Sequence, residues 1–111
     1  MRGMANDCNW IAEEYDDTLK QLFMADEALA HSDRAKAVAY LISQADHRIP
    51  AIESRAGAKA PEGMKRDLKE LAQEISGGAE YRTVHDKVME IDRRYAIEGY
   101  RAFARCYNES K

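Results

Sequence analysis

Apolar residues recur every three or four positions along nearly the whole of this 111-residue chain. That spacing places them on one face of an α-helix, whereas a half-buried strand alternates with a period of two. No stretch shows a sustained alternation rich in β-branched residues, and only two prolines and six glycines interrupt the pattern. The sequence therefore predicts an all-α protein.

Breaks in the pattern divide the chain into four predicted helices, at about 6–30, 33–55, 61–76 and 79–108. Short connections between long amphipathic helices favour antiparallel neighbours. We therefore predict one domain over residues 1–111. Its expected fold is a four-helix antiparallel bundle of up-down-up-down topology, with a short third helix and a long C-terminal helix.

Polar residues and glycines mark the predicted helix ends. Asn6 or Asp7 can cap the first helix by accepting a hydrogen bond from a free first-turn N–H group. Ser32 or Asp33 can cap the second helix in the same way. The pair Gly77-Gly78 is expected to end the third helix, because glycine readily adopts the left-handed conformation found there.

The second helix carries apolar residues at strict heptad spacing, namely Ala35, Val38, Ile42, Ala45, Ile49, Ile52 and Ala56. Pro50 lies inside this seam, where it removes one backbone hydrogen bond and crowds the carbonyl four residues earlier. Because the heptad phase continues past it, we predict a kinked helix and not two helices. Pro61 suits the first position of the third helix, where its missing N–H costs nothing.

The other helices have predicted core faces of the same kind. They comprise Cys8, Ile11, Ala12, Tyr15, Leu19, Leu22, Phe23 and Leu29 in the first, Met64, Leu68, Leu71 and Ile75 in the third, and Tyr81, Val84, Val88, Ile91, Tyr95, Glu98 and Ala102 in the fourth. Asp26 and Glu98 lie on or near these faces. A buried carboxylate is costly unless it is paired, so each should meet an arginine, a tyrosine or a helix end.

The last helix carries a second apolar stripe, formed by Met89, Ala96, Tyr100, Phe103 and Tyr107. One interpretation is that this helix is central and packs on two neighbours within the monomer. The other is that Tyr100, Phe103 and Tyr107 form an exposed patch that binds a partner or a second copy. Aromatic residues are enriched at binding hot spots, because they bury much area at low entropic cost. This stripe is the main candidate site.

Acidic residues concentrate at the start of the chain, where residues 1–31 hold seven acids against two bases. Four of them, Glu13, Glu14, Asp16 and Asp17, lie near Trp10. One interpretation is a solvated face. The other is a surface for a basic partner with Trp10 as its anchor, since complementary charge speeds association. Such a surface could also imitate nucleic acid.

Signals for catalysis or metal binding are missing from the sequence. It contains no Glu-x-x-His pair, Cys-x-x-Cys, Gly-x-Ser-x-Gly or glycine-rich phosphate loop, and His31, His47 and His85 do not form a chelating set. We therefore expect no enzyme activity, no metal and no cofactor. Arginines of the last helix alternate with acids, and the pI is about 5.6, so nucleic-acid binding is disfavoured.

Cys8 and Cys106 lie at opposite ends of the chain, and the predicted topology brings both to one pole of the bundle. We expect small buried thiols, as in a reducing cytosol, with a disulfide as the alternative in an oxidising compartment. The acidic start has no apolar core typical of a secretory signal, and no apolar run is long enough to cross a membrane. The expected location is the cytoplasm.

The sequence thus favours a small non-enzymatic helical protein that acts by binding another protein. Such a protein serves as an adaptor, an inhibitor or immunity-type protein, or a minor subunit of a larger complex. One alternative is a structural homodimer without a separate client. A weaker alternative is an acidic inhibitor that imitates nucleic acid. The small size, helicity and acidic first helix are common among bacterial and phage proteins, and the alanine and arginine usage is typical of a GC-rich prokaryotic genome.

Overall fold

The computed structural model describes the backbone of residues 4–56 and 63–109 and the side chains of residues 8–55 and 63–109. The helices are α1 (Met4–Ala30), α2 (Arg34–Ser43), α3 (Ile49–Ala56), α4 (Met64–Ser76) and α5 (Tyr81–Glu109), with a π-helical turn, Gln44–Arg48, between α2 and α3. No strand occurs within the described residues, so the predicted all-α class is confirmed. None of the described helices is long and apolar enough to span a membrane.

Helix α1 begins earlier than predicted. It already includes Met4, so Asn6 and Asp7 lie inside the helix and the predicted cap at these residues is wrong. Met4 and Ala5 are both strong helix formers, which explains why the helix extends in this direction.

The later helix ends follow the sequence more closely. Ser32 has a φ of 64°, and the Asp33 carboxylate accepts a hydrogen bond from the Lys36 N–H at 3.0 Å. The predicted cap by Asp33 is therefore confirmed. Helix α4 ends at Gly77-Gly78 as expected, with a φ of 95° at Gly78. The predicted connection at 57–60 and the predicted helix start at Pro61 lie outside the described residues.

The chain remains helical through Pro50, as predicted, and a π turn precedes it. The Ile49 N–H bonds to the Gln44 carbonyl, five residues back instead of four. Proline has no N–H to offer the Asp46 carbonyl and would crowd it in a regular helix. The wider turn before Pro50 accommodates both effects, as π-bulges do elsewhere.

This π turn shifts the buried face of the predicted second helix, which in the structure comprises α2, the π turn and α3. Its buried apolar residues are Ala37, Leu41, Ala45, Ile49 and Ile52. They lie four positions apart, except for the last two, which lie three apart. Ala35 is exposed, and Val38 and Ile42 are only half-buried. The predicted heptad seam is therefore wrong before Ala45. The extra residue in the π turn is the reason, because it rotates the preceding part of the helix.

The core lies between α1, α2, α4 and α5, with α1 in contact with α2, α3 and α5. The predicted inward residues of α4 are all buried, as are most of those predicted for α1. Phe23 of α1 is an exception, and so is Tyr81 on the predicted core face of α5, because both are exposed. Phe23 follows the fully buried Leu22, and adjacent residues point about 100° apart on a helix.

Helix α5 is longer than the neighbour that covers it. Helix α4 bonds to it through Glu74 with Lys87 and through Asp67 with Tyr95. Beyond Tyr95, among the described residues, the hydrogen bonds and ion pairs of α5 to α4 cease, and α1 continues alongside. The C-terminal half of α5 therefore keeps an uncovered outer face.

Candidate functional site

A groove of about 450 Å³ runs between α1 and the C-terminal half of α5. It is lined from α1 by Asn9, Ala12, Glu13, Tyr15, Asp16 and Leu19, and from α5 by Tyr95, Ala96, Gly99, Tyr100 and Phe103. The aromatic stripe of the last helix and part of the acidic start of the chain thus meet at one place. The sequence had presented them as separate candidates.

The floor of the groove is the closest approach of α1 and α5. A Cβ atom built on the buried Gly99 would lie 3.2 Å from the Cβ of Tyr15, which is tighter than ordinary van der Waals contact. Glycine within a helix costs about 1 kcal/mol relative to alanine, so its presence here fits a need for close packing. The small Ala12 and Ala96 side chains leave space above this contact.

The α5 wall of the groove is aromatic and open to solvent. Tyr100 is 71% exposed, and Phe103 is half-buried. One turn beyond the groove lining, Tyr107 is 45% exposed and stacks on Phe103 at 6.0 Å between ring centroids. The interpretation of this stripe as core of the monomer is therefore wrong for Tyr100 and Tyr107. The reason is that α4 begins alongside Tyr95, so within the described residues this helix does not extend along the later part of α5.

Ile97 belongs to the same exposed face and was missed by the sequence analysis. It is 56% exposed and lies three residues before Tyr100. Residues three apart are neighbours on a helix surface, so its spacing from Tyr100 could have revealed it. With Ile97, the uncovered apolar face of α5 extends beyond the rim of the groove.

The α1 wall carries two of the four predicted acids. Glu13 and Asp16 line the groove, and both are exposed. Asp16 pairs with Lys20 of its own helix at 3.2 Å, and this ion pair is solvent-exposed. Among the described residues no ion pair holds Glu13. The rim of the groove opposite Tyr100 is therefore negatively charged.

The other two predicted acids face away from the groove. Glu14 accepts a hydrogen bond from Arg48 at 2.7 Å, and Asp17 lies 3.6 Å from the same guanidinium. Arg48 also donates to the buried Gln44 side chain at 2.6 Å. This network joins α1 to the π turn, so Glu14 and Asp17 stabilise the packing of the helices and do not share a surface with Glu13.

Trp10 also lies away from the groove. It is partly buried against the core, and the Arg55 guanidinium sits 4.1 Å from the centre of its ring. This geometry is a cation–π contact between α1 and α3. The structure therefore places Trp10 in a helix–helix contact, apart from Glu13 and Asp16.

Tyr15 at the floor of the groove is buried, and its pKa is raised to about 12. Burial is the main cause, and the negative charge of Glu53 adds to it, while Arg105 opposes it. Burial disfavours the phenolate, so the hydroxyl stays protonated at neutral pH. Tyr15 therefore contributes a neutral aromatic ring to the floor of the groove and does not act as a base.

A second polar cluster lies at the opposite end of the α1–α5 pair. Asp26 accepts a hydrogen bond from the Tyr81 hydroxyl at 3.1 Å and lies 3.0 Å from Nδ1 of His85. A tyrosine partner for Asp26 was predicted and is confirmed. Burial and the bond to Asp26 raise the pKa of Tyr81. This cluster ties the end of α1 to the start of α5.

Other predicted polar residues are paired or solvated. Glu98 pairs with Arg101 at 3.1 Å, as expected for an acid near the core face, and Arg94 bonds to Asp67 at 2.8 Å. Nδ1 of His31 lies 2.9 Å from the backbone carbonyl of Glu27. Within the part of the chain that the structure describes, no three or more His, Cys, Asp or Glu side chains gather as a metal site.

Cys8 and Cys106 form a disulfide bond, with their Cα atoms 5.6 Å apart. The prediction that both lie at one pole of the fold is confirmed, whereas the expectation of two free thiols is wrong. The antiparallel pairing of α1 and α5 brings their ends within the Cα distance that a disulfide requires. The bond joins α1 and α5 at one end of the groove, next to Asn9 and three residues beyond Phe103.

Comparison with protein families, curated proteins and solved structures finds no match to this chain. The functional argument therefore depends on the groove and on the uncovered face of α5.

Proposed function

We propose that this protein is non-enzymatic and acts by binding another protein at the α1–α5 groove. The observation that carries the proposal is the 71% exposure of Tyr100 beside a groove whose walls include a second aromatic residue, Phe103. Large exposed aromatic residues next to a concave surface are typical of binding hot spots. The corresponding biological role is that of an adaptor, an inhibitor or a subunit of a larger complex.

The proposed architecture behind this site is an antiparallel up-down-up-down bundle. Its support is that α1 and α5 run in opposite directions, because Cys8 bonds to Cys106 at one end and Asp26 to His85 at the other. Short turns at 31–33 and 77–80 favour the same arrangement for the neighbouring helices. In such a bundle the partner would bind at the end that the short α4 leaves uncovered.

A homodimer is the second candidate, and Ile97 is the observation that favours it. The 56% exposed Ile97 extends the apolar face of α5 outward, away from the groove, where a second copy of the helix could pack. Imitation of nucleic acid has less support, because Arg48 engages Glu14 and Asp17. Neither nucleic-acid nor membrane binding is part of the proposal.

The location of the protein is a separate proposal. The sequence favours the cytoplasm, but the Cys8–Cys106 bond argues for an oxidising compartment. Disulfides persist in such compartments and are rare in the reducing cytosol. We therefore propose an oxidising compartment in place of the cytoplasm.

The test is site-specific photo-crosslinking in cells that naturally produce the protein. A photoreactive amino acid replaces Tyr100 in one variant and Arg82 in another. These positions lie 18 residues, or five turns, apart, so they share one face of α5. Both side chains are exposed, which makes position 82 a matched control.

We expect position 100 to yield a discrete adduct whose mass differs from that of a self-crosslinked dimer, and position 82 to yield none. Adducts formed only between two copies would replace the proposal with the homodimer. The same adducts from both positions, or none from position 100, would refute a specific site on this half of the helix.

A further inference from the structure

We propose that the segment bound in the α1–α5 groove is basic and amphipathic. It would place lysine or arginine at the Glu13 and Asp16 rim and an apolar side chain against Tyr100 and Phe103. This inference rests on the proposed function and adds the chemistry of the partner. The occupant is part of a partner protein, and its recognition combines charge with apolar burial.

Charge complementarity is the first argument. Glu13 and Asp16 are the charged side chains that line the groove, and its described lining includes no lysine or arginine. Glu13 has no ion pair within the described chain, and the Asp16–Lys20 pair is solvent-exposed. Exposed pairs contribute little, so an incoming cation can replace Lys20 at small cost.

The aromatic wall supplies the second argument. The hydrocarbon stem of a lysine or arginine can lie on the ring of Tyr100 or Phe103 while its charged end reaches the carboxylates across the groove. The protein already uses this geometry elsewhere, where Arg55 packs 4.1 Å from the centre of the Trp10 ring. A groove with aromatic and acidic walls therefore selects cationic side chains over acidic ones.

The dimensions of the groove are the third argument. Its lining residues on α1 run from Asn9 to Leu19, which is three turns or about 15 Å of helix. That length accommodates about three turns of a partner helix or about five residues of extended chain. The small side chains of Ala12 and Ala96 provide room for one apolar anchor.

A displayed library of random 12-residue peptides tests the inference on the full-length protein. Peptides are selected on the wild type, and those that Tyr100→Ala also retains are discarded. Because Tyr100 is exposed, this variant should keep the wild-type circular dichroism and melting temperature. We expect the remaining peptides to have a net positive charge and at least one large apolar residue.

Affinities of the selected peptides provide the second measurement. The double variant Glu13→Gln with Asp16→Gln should weaken them roughly five- to tenfold at low salt. Glu27→Gln is the control. It removes one exposed acid of the same helix about 21 Å from Glu13, whereas the double variant removes two. Its effect should stay below about twofold.

The outcomes distinguish failure of the basic-segment inference from failure of the proposed function. Selected peptides that depend on Tyr100 but are neutral or acidic would overturn the basic-segment inference and leave the proposed function intact. The absence of any peptide that depends on Tyr100 would overturn both. Basic peptides that Glu27→Gln weakens as much as the double variant would reveal unspecific charge attraction and overturn the inference alone.

Discussion

Cys8 of α1 and Cys106 of α5 are covalently joined although 98 positions separate them in the sequence. Their bond fixes the first part of α1 against the end of α5, about three turns beyond Tyr95, where the described bonds between α4 and α5 cease. The groove between these two helices therefore has a covalent clamp at one end and the buried Gly99 contact along its floor.

Removal of the clamp should destabilise the fold. A disulfide that closes a long loop restricts the unfolded chain, and its loss typically costs about 2–4 kcal/mol. We expect Cys8→Ser with Cys106→Ser to lower the free energy of unfolding by that amount in urea titrations. Reductant should destabilise the wild type similarly and leave the double variant unchanged. An equal effect of reductant on both proteins would contradict this prediction.

A larger side chain at position 99 should separate α1 from α5. Gly99→Leu forces its side chain into Tyr15, and overpacking of this kind costs about 1–3 kcal/mol. Urea unfolding measures the loss. Ala104→Leu on the same helix is the control, because position 104 is only half-buried. A Gly99→Leu protein about 1 kcal/mol more stable than the wild type, which is the gain expected from helix propensity alone, would mean that the two helices are not in close contact there.

Tyr81→Phe should destabilise the opposite end of the α1–α5 pair. The substitution removes the hydroxyl donor from the largely buried Asp26 carboxylate and leaves His85 as its remaining partner. Loss of one hydrogen bond to a buried charged group costs about 1–2 kcal/mol. Tyr100→Phe removes a solvent-exposed hydroxyl and should change stability by less than about 0.5 kcal/mol. Equal effects of the two variants would refute a structural role for the bond.

Stability should fall at alkaline pH as Tyr15 ionises. Its folded-state pKa of about 12 lies above the ordinary value of 10.0. The corresponding stabilisation is complete below pH 10 and is lost as the pH rises through 12, at about 1.4 kcal/mol per pH unit. Tyr15→Phe should therefore show a shallower loss of stability between pH 10 and 12. Absorbance titration should show one fewer late-titrating phenol in this variant, and identical titration curves would contradict the assignment.

The sequence predicted the all-α class and most helix positions from residue spacing and turn chemistry. The inward residues of α4 and the end at Gly77-Gly78 followed from local pattern and turn chemistry. The phase of α2 did not, because the π turn before Pro50 adds a residue that periodicity alone does not reveal. The helix ends followed local signals, whereas the phase of α2 depended on a backbone distortion next to Pro50 that residue spacing does not reveal.

The candidate site was only partly predictable. Tyr100 and Phe103 were identified from helical spacing, but their exposure depended on where α4 begins relative to α5. The acids were also identified, yet the sequence could not show that Arg48 engages Glu14 while Glu13 lines the groove. Which acid is paired and which lines the groove depends on contacts between distant parts of the chain. The spacing of residues in a single sequence does not reveal these contacts.

The central claim is that the face around Tyr100 is vacant in the free protein and reserved for another protein. Light scattering of the purified wild type across a wide concentration range tests this most directly, with Tyr100→Asp as the comparison. The account predicts a monomer of 12.6 kDa at every concentration for both proteins. A stable wild-type dimer that Tyr100→Asp converts to monomer would contradict it, because the face would then be occupied by a second copy.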